Sequence, residues 1–335
     1  EPAKRSLLKG TWLPRGRLFG GPPRMWRSLA SISSGVVAVN VAAAVAVVRL
    51  GGASDEMEPD LWIAARSLAW AAFFFALFGL AGGGTQTRSA PGETVAVDST
   101  KNILGVTTWS TKFANRVCAF VHATLGVLTA TRTIYIVHAD AAVRTAAARS
   151  FLPIAYGTAR DPHHMSLFCP VEITLGYTLF DFTYMVLYEP DLMFLLHHVA
   201  ILVGFAPLIF IRKGYMVVVV GIWIAETTNP LQLPWMWARD NAKRLDISEG
   251  QRARYRRVYE SLSTPLTGGY VVMRAILMPI SLLDVAVFLF VEGQMTPFLV
   301  WIWIVCLAGF VGSMFWVNML VSGWLKFRRK QRKSA

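Results

Sequence analysis

Long apolar segments recur along this chain of 335 residues, and they restrict its fold more than any other feature. Each holds about 20 mostly apolar residues, enough for a helix to cross a hydrocarbon core of ~30 Å. In lipid only helices and closed barrels satisfy their own backbone hydrogen bonds, and these segments are far too long for barrel strands. The sequence therefore predicts an all-α, polytopic transmembrane helical bundle of about eight spans. The predicted spans are Leu29–Leu50, Leu61–Gly82, Phe113–Val137, Ser166–Tyr188, Asp191–Ile211, Gly214–Trp237, Gly269–Phe290 and Pro297–Leu325.

The formal net charge of +13 would suit a nucleic-acid partner, but the placement of the basic residues indicates membrane topology instead. They cluster in the N-terminal tail, in the loop after the sixth span and in the C-terminal tail. In an eight-span bundle all three regions lie on one side, as the positive-inside rule requires. We therefore expect no nucleic-acid partner. Both termini should face the cytoplasm, matrix or stroma, and the protein should reside in the endoplasmic reticulum or an organellar inner membrane.

A linker rich in Gly, Ser and Thr divides the chain into a small N-terminal part and a larger C-terminal part. The basic first residues fit either an inside tail or the remnant of an organellar targeting segment. The loop 238–265 fits either an interfacial amphipathic helix or a packed connector. The predicted units are a basic tail (1–28), a two-helix appendage (29–83), a linker (84–110), a six-span domain (111–325) and a second basic tail (326–335).

Polar residues of the six C-terminal spans fall in one layer within the inner half of the predicted bundle. Counted from the inner end of each span at ~1.5 Å per residue, their depths run from about 8 to about 16 Å. Ionisable groups at such depths usually face a bundle interior or a cavity. We therefore expect a polar cavity that opens toward the inner side, although interhelical hydrogen bonding alone would also use such residues. The layer comprises His122, Asp181, His197, His198, Glu226, Arg274 and Asn318.

A second polar set, Arg132, Glu172 and Asp284, lies in the outer half of the predicted spans. One cation and two anions there favour a structural ion pair that fixes helix register. No metal site is expected, because the histidine pair His197–His198 with Asp181 would still need further ligands. The three cysteines show no metal or redox spacing.

Three motifs in fixed order resemble the TLC-domain family of TRAM-, Lag- and CLN-type membrane proteins. They are 176–181 (GYTLFD), the pair His197–His198, and 226–230 (ETTNP), preceded by His122 in 115–122 (NRVCAFVH). The resemblance covers about residues 111–325 and implies a six-helix membrane barrel around a lipid-sized cavity. Ceramide synthases of this family carry paired aspartates where this chain has Glu226, so the sequence is more similar to the branch with a Glu-Ser/Thr-Ser/Thr-x-Pro signature.

Three functions remain open at this point. In the first, His122, Glu226, Arg274 and Asn318 meet the head group of a bound membrane lipid. In the second, the protein is an acyltransferase that takes acyl-CoA as substrate, with His197 or His198 as general base and Asp181 orienting the imidazole. In the third, the chain is a structural subunit that assembles with other membrane-protein subunits. The resemblance implies a role in lipid synthesis, sensing or trafficking.

Overall fold

The computed structural model describes residues 59–81, 109–139, 152, 169–205, 215–291 and 295–334. Within those ranges the regular structure is entirely helical, as predicted. The predicted first span, Leu29–Leu50, and the N-terminal tail lie outside the described residues. The helices are α1 (Pro59–Leu80), α2 (Trp109–Ala139), α3 (Pro170–Leu187), α4 (Leu192–Phe205), α5 (Tyr215–Glu226), α6 (Asn229–Asn241), α7 (Glu249–Tyr270, continuing through Val271–Leu277, Met278–Ala286 and Val287–Val291) and α8 (Pro297–Ser334).

Four helical stretches of the described residues are long and apolar enough to cross a membrane. Two further helices, Ala64–Leu80 and Phe194–Phe205, are apolar but shorter. The chain is therefore an all-helical protein whose composition is compatible with an integral membrane location. The four stretches are Thr111–Ala139, Tyr215–Asn241, Glu249–Val291 and Leu299–Arg329.

Two helix boundaries differ from the predicted ones. The predicted seventh span begins at Gly269, whereas the helix begins at Glu249, after a capping box between Ser248 and Gln251. The eighth helix continues to Ser334, through residues predicted as a separate tail. The helical interpretation of the loop 238–265 therefore holds from residue 249 onward. The extension of α8 was not predicted, because apolar periodicity marks only the part of a helix that faces lipid or core. Arg- and Lys-rich sequence is nevertheless compatible with helix, because both residues have high helix propensity.

Helix α3 forms the centre of the fold. Thirteen of its eighteen residues are buried, and it packs against α1, α2, α4 and α5. A layer of aromatic rings joins it to α1, with Phe74 and Phe180 both fully buried. The closest approach is at Gly176, where a methyl group would lie 2.5 Å from the backbone oxygen of Ser67. A buried central helix is why Asp181, on α3, lies among side chains of its neighbours.

Helices α7 and α8 form an antiparallel hairpin. Near its two ends the Trp324 Nε1–H donates to Thr264 Oγ1 at 3.0 Å, and the Phe290 and Trp303 rings lie 5.8 Å apart. Between them, Val271–Leu277 has the wider π-helical winding. Such π-helical turns are rare in helices and frequent at functional sites. The hairpin places the basic start of α7 and the basic end of α8 at the same end of the molecule.

Candidate functional site

His198 and Asp181 form a buried pair between α4 and α3. The Nε2 of His198 lies 2.8 Å from Asp181 Oδ2, and its Nδ1 lies 2.6 Å from the backbone oxygen of Phe194. A carbonyl oxygen cannot donate a hydrogen bond, so Nδ1 carries a proton and its N–H donates to the Phe194 carbonyl. The other ring nitrogen, Nε2, is hydrogen-bonded to the Asp181 carboxyl group. Both ring nitrogens of His198 are therefore engaged within the protein.

His197 differs from its neighbour, because its side chain is exposed. The two rings are 5.6 Å apart and perpendicular, as the ~100° step between adjacent helical residues requires. Within the described residues His197 makes no hydrogen bond, so both ring nitrogens remain available. One member of the pair is thus a structural partner of α3, and the other presents a free imidazole on an apolar helix.

His122 links α2 to α3 and α5. Its ring stacks on Tyr177 at 4.0 Å with the planes 6° from parallel, and its Nε2 lies 3.3 Å from Thr174 Oγ1. Its Nδ1 lies 3.7 Å from Glu226 Oε2. His122 therefore connects Glu226 at the end of α5 with Thr174 and Tyr177 of α3.

Glu226 ends α5 at a break in the predicted sixth span. Pro230 has no amide hydrogen for the Glu226 carbonyl, so α5 cannot continue and α6 begins at Asn229. The Asn229 side chain folds back and donates to Glu226 Oε2 at 2.7 Å. The break places the Glu226 carboxylate beside His122. Broken helices are tolerated at membrane depth where neighbouring groups re-satisfy the backbone.

Arg274 supplies part of that satisfaction from α7. Its Nη2–H donates to the Ala225 carbonyl at the end of α5, and its Nη1–H donates to Ser313 Oγ on α8 at 3.0 Å. The guanidinium carbon lies 5.6 Å from the centre of the Tyr270 ring. A cation at a helix C-terminus also offsets the negative end of the helix dipole. Arg274 lies in the π-helical turn described above.

Six of the seven residues predicted to form one layer are brought near one another, and Asn318 is not. His198 contacts Asp181, His122 contacts Glu226, and Arg274 binds the carbonyl of the residue before Glu226. The His197 ring lies 5.6 Å from that of His198. Asn318 is exposed on α8, where Ser313 is the residue that meets Arg274. Sequence reasoning missed Ser313, Thr174, Tyr177 and Asn229 as contributors, although the last two stand within the motifs singled out.

The two acids of the predicted outer set have partners among the described residues that the sequence did not indicate. Glu172 is buried, and the guanidinium of Arg66 on α1 donates to its Oε1 at 2.7 Å. Asp284 Oδ2 accepts from the Leu152 amide at 2.9 Å. The two acids thus bind groups from the preceding part of the chain, and the α1–α3 pair holds the appendage against the centre of the fold. Arg132 is exposed on α2.

The six predicted residues of this polar layer lie on five helices, and they combine one free imidazole with one arginine. Comparison with protein-family models gives no match. Comparison with curated proteins gives none either. No solved structure matches the chain. The interpretation of the site therefore depends on its own chemistry.

Proposed function

We propose that the protein is an integral membrane protein that binds or regulates a membrane lipid through this polar layer. The observation that carries the proposal is His197, an exposed and unbonded imidazole on a helix whose other exposed side chains are apolar, such as Leu196 and Val199. A polar group in a membrane-spanning helix is costly unless it meets a partner or a cavity. A lipid head group is a partner of the required polarity, and the acyl chain of the same lipid could lie along the surrounding apolar surface.

Acyl transfer has less support from the geometry. A general base needs one free ring nitrogen, and both nitrogens of His198 are engaged by Asp181 and Phe194. Asp181 therefore orients His198, and His197 has no carboxylate to orient it among its contacts. If acyl-CoA is a substrate, His197 is the residue to act as base, and it would do so without a dyad partner.

Lipid binding is tested by purifying the protein under mild extraction and identifying co-purifying lipids by mass spectrometry. We expect a defined lipid with the wild type, and several-fold less of it with His197→Ala. The variant His198→Ala serves as comparison, because it disturbs packing without removing the exposed imidazole. Unchanged lipid in His197→Ala, together with unchanged membrane lipids in cells, would leave the structural-subunit function as the better interpretation.

We also propose the finer architecture, eight spans with the C-terminal six arranged as a TLC-type barrel and both termini on the cytoplasmic, matrix or stromal side. The α7–α8 hairpin supports part of this topology, because the start of α7 and the end of α8 lie at one end of the molecule and the turn between them lies at the other. Single cysteines in a background without native thiols test this. Gly250→Cys and Arg329→Cys should react with a membrane-impermeant maleimide from one side, and Met295→Cys from the other. Labelling of all three from the same side would contradict the topology.

A further inference from the structure

Arg274 is a cation at membrane depth whose contacts in the described structure are all neutral. They are the Ser313 hydroxyl, the Ala225 carbonyl and the Tyr270 ring. Its Nε is buried without a hydrogen-bond partner among the described residues. The nearby Glu226 carboxylate is bound by Asn229 instead. Among the described residues Arg274 makes no salt bridge within 4.0 Å and its Nε has no hydrogen-bond partner, so this guanidinium keeps the capacity to bind an anion directly.

His197 lies at the same level as this guanidinium. Helices α4 and α8 run antiparallel, because Phe194 lies beside Trp316 (ring centres 6.1 Å apart) and a methyl group on Gly204 would lie 3.0 Å from Val305. His197 lies three residues after Phe194 on α4, and Ser313 lies three residues before Trp316 on the antiparallel α8. The residue that Arg274 contacts on α8 is therefore level with the free imidazole on α4.

The three side chains offer complementary hydrogen bonds. Arg274 has N–H groups beyond the two that it uses, His197 has a free ring N–H, and Ser313 accepts from Arg274 and so keeps its own proton to donate. Hydrogen bonds from such donors to an oxyanion are strengthened by charge. Donors from α4, α7 and α8 therefore lie at one level of the bundle, where a single oxyanion could accept from them.

The surroundings indicate how the rest of the ligand is built. His197 is about 8 Å along α4 from its start, which suits a head group near the membrane interface. From this level toward the far end of both helices, the exposed side chains include Val199 and Val203 of α4 and Leu307 and Ile304 of α8. We infer that Arg274, Ser313 and His197 bind the oxyanion head, carboxylate or phosphate, of an acyl-chain lipid. This inference rests on the proposed lipid-binding function and specifies the class of lipid.

Native mass spectrometry in a non-ionic detergent tests the inference with four added lipids: oleic acid, dioleoyl phosphatidic acid, dioleoyl phosphatidylcholine and diolein. We expect the two acidic lipids to bind the wild type best. Arg274→Gln should weaken their binding about tenfold or more, a loss typical of one charge-assisted contact, and leave the neutral diolein unchanged. Arg274→Lys should retain most of the affinity. Arg132→Gln, which removes one exposed cation from α2, is the matched control and should bind like the wild type.

Should Arg274→Gln fail to fold, Ser313→Ala and His197→Ala still test the site, each with a several-fold loss for acidic lipids only. A loss confined to oleic acid would identify a free fatty acid, and a loss confined to phosphatidic acid would identify a phospholipid head group. Equal binding by Arg274→Gln and wild type, or an equal loss in Arg132→Gln, would overturn the inference. Wild-type protein that binds diolein as well as the acidic lipids would also overturn it, while leaving lipid binding intact. Failure to bind any of the four, with a defined lipid still co-purifying, would overturn the inference and leave the proposed function, whereas the absence of any co-purifying lipid would reject the proposed function itself.

Discussion

Gly176→Ala is expected to destabilise the fold by at least about 2–3 kcal/mol, because its methyl group has no space between α3 and α1. The added carbon would lie 2.5 Å from the Ser67 backbone oxygen and 2.8 Å from the Ala71 backbone nitrogen. Neither atom belongs to a flexible side chain, so the two helices must separate. Separation would also disturb the Arg66–Glu172 ion pair, which joins the same helices. Equilibrium unfolding in mixed detergent micelles measures the loss.

Gly221→Ala is the matched control for this substitution. Gly221 lies inside α5, and a methyl group there would meet nothing within 4 Å. Alanine has the higher helix propensity by about 1 kcal/mol, so this variant should be as stable as the wild type or more stable. If Gly176→Ala were as stable as Gly221→Ala, α1 and α3 would not pack as closely at Gly176 as described.

The sequence predicts the existence of the helices better than their ends and contacts. Leu61–Gly82 and Phe113–Val137 match α1 and α2 closely, because long apolar stretches dominate the signal. The break near Pro230 also follows from local chemistry, since proline lacks the amide that a helix needs. A helix within the loop 238–265 was one of two interpretations of the sequence, but its continuity with the seventh span from Glu249 was not predicted, because the apolar stretch that marks the span begins only near Gly269.

The depth estimate placed six candidate residues near one another but could not give their orientation. Position along a helix is read from residue number, whereas the direction of a side chain depends on how each helix is rotated in the bundle. Asn318 therefore has a suitable depth and still lies exposed, while Ser313, about one turn earlier, meets Arg274. The different roles of His197 and His198 have the same origin. Adjacent residues point about 100° apart, and only packing decides which one faces α3.

Asp181→Ala should destabilise the protein by about 3 kcal/mol or more, since it removes one partner of a buried charged pair. The loss leaves His198 Nε2 facing a space from which water is excluded, while Nδ1 stays bonded to Phe194. Asp181→Asn is expected to cost much less. A neutral imidazole can keep its Nδ1–H on the Phe194 carbonyl and accept an amide hydrogen at Nε2, so both hydrogen bonds survive without a charge.

A double-mutant cycle separates this pair from the general cost of altering the core. Asp181→Ala combined with His198→Ala should be less destabilising than the sum of the two single changes, by about 1–3 kcal/mol, because the second change removes the group that the first left unpaired. Asp240→Ala provides the comparison. Asp240 pairs with Arg116 but its side chain is 25% exposed, so solvent compensates and the loss should stay near 1 kcal/mol or below. Strict additivity of the Asp181 and His198 changes would show that the two side chains do not interact, and the polar layer would then lose the contact that joins α3 to α4.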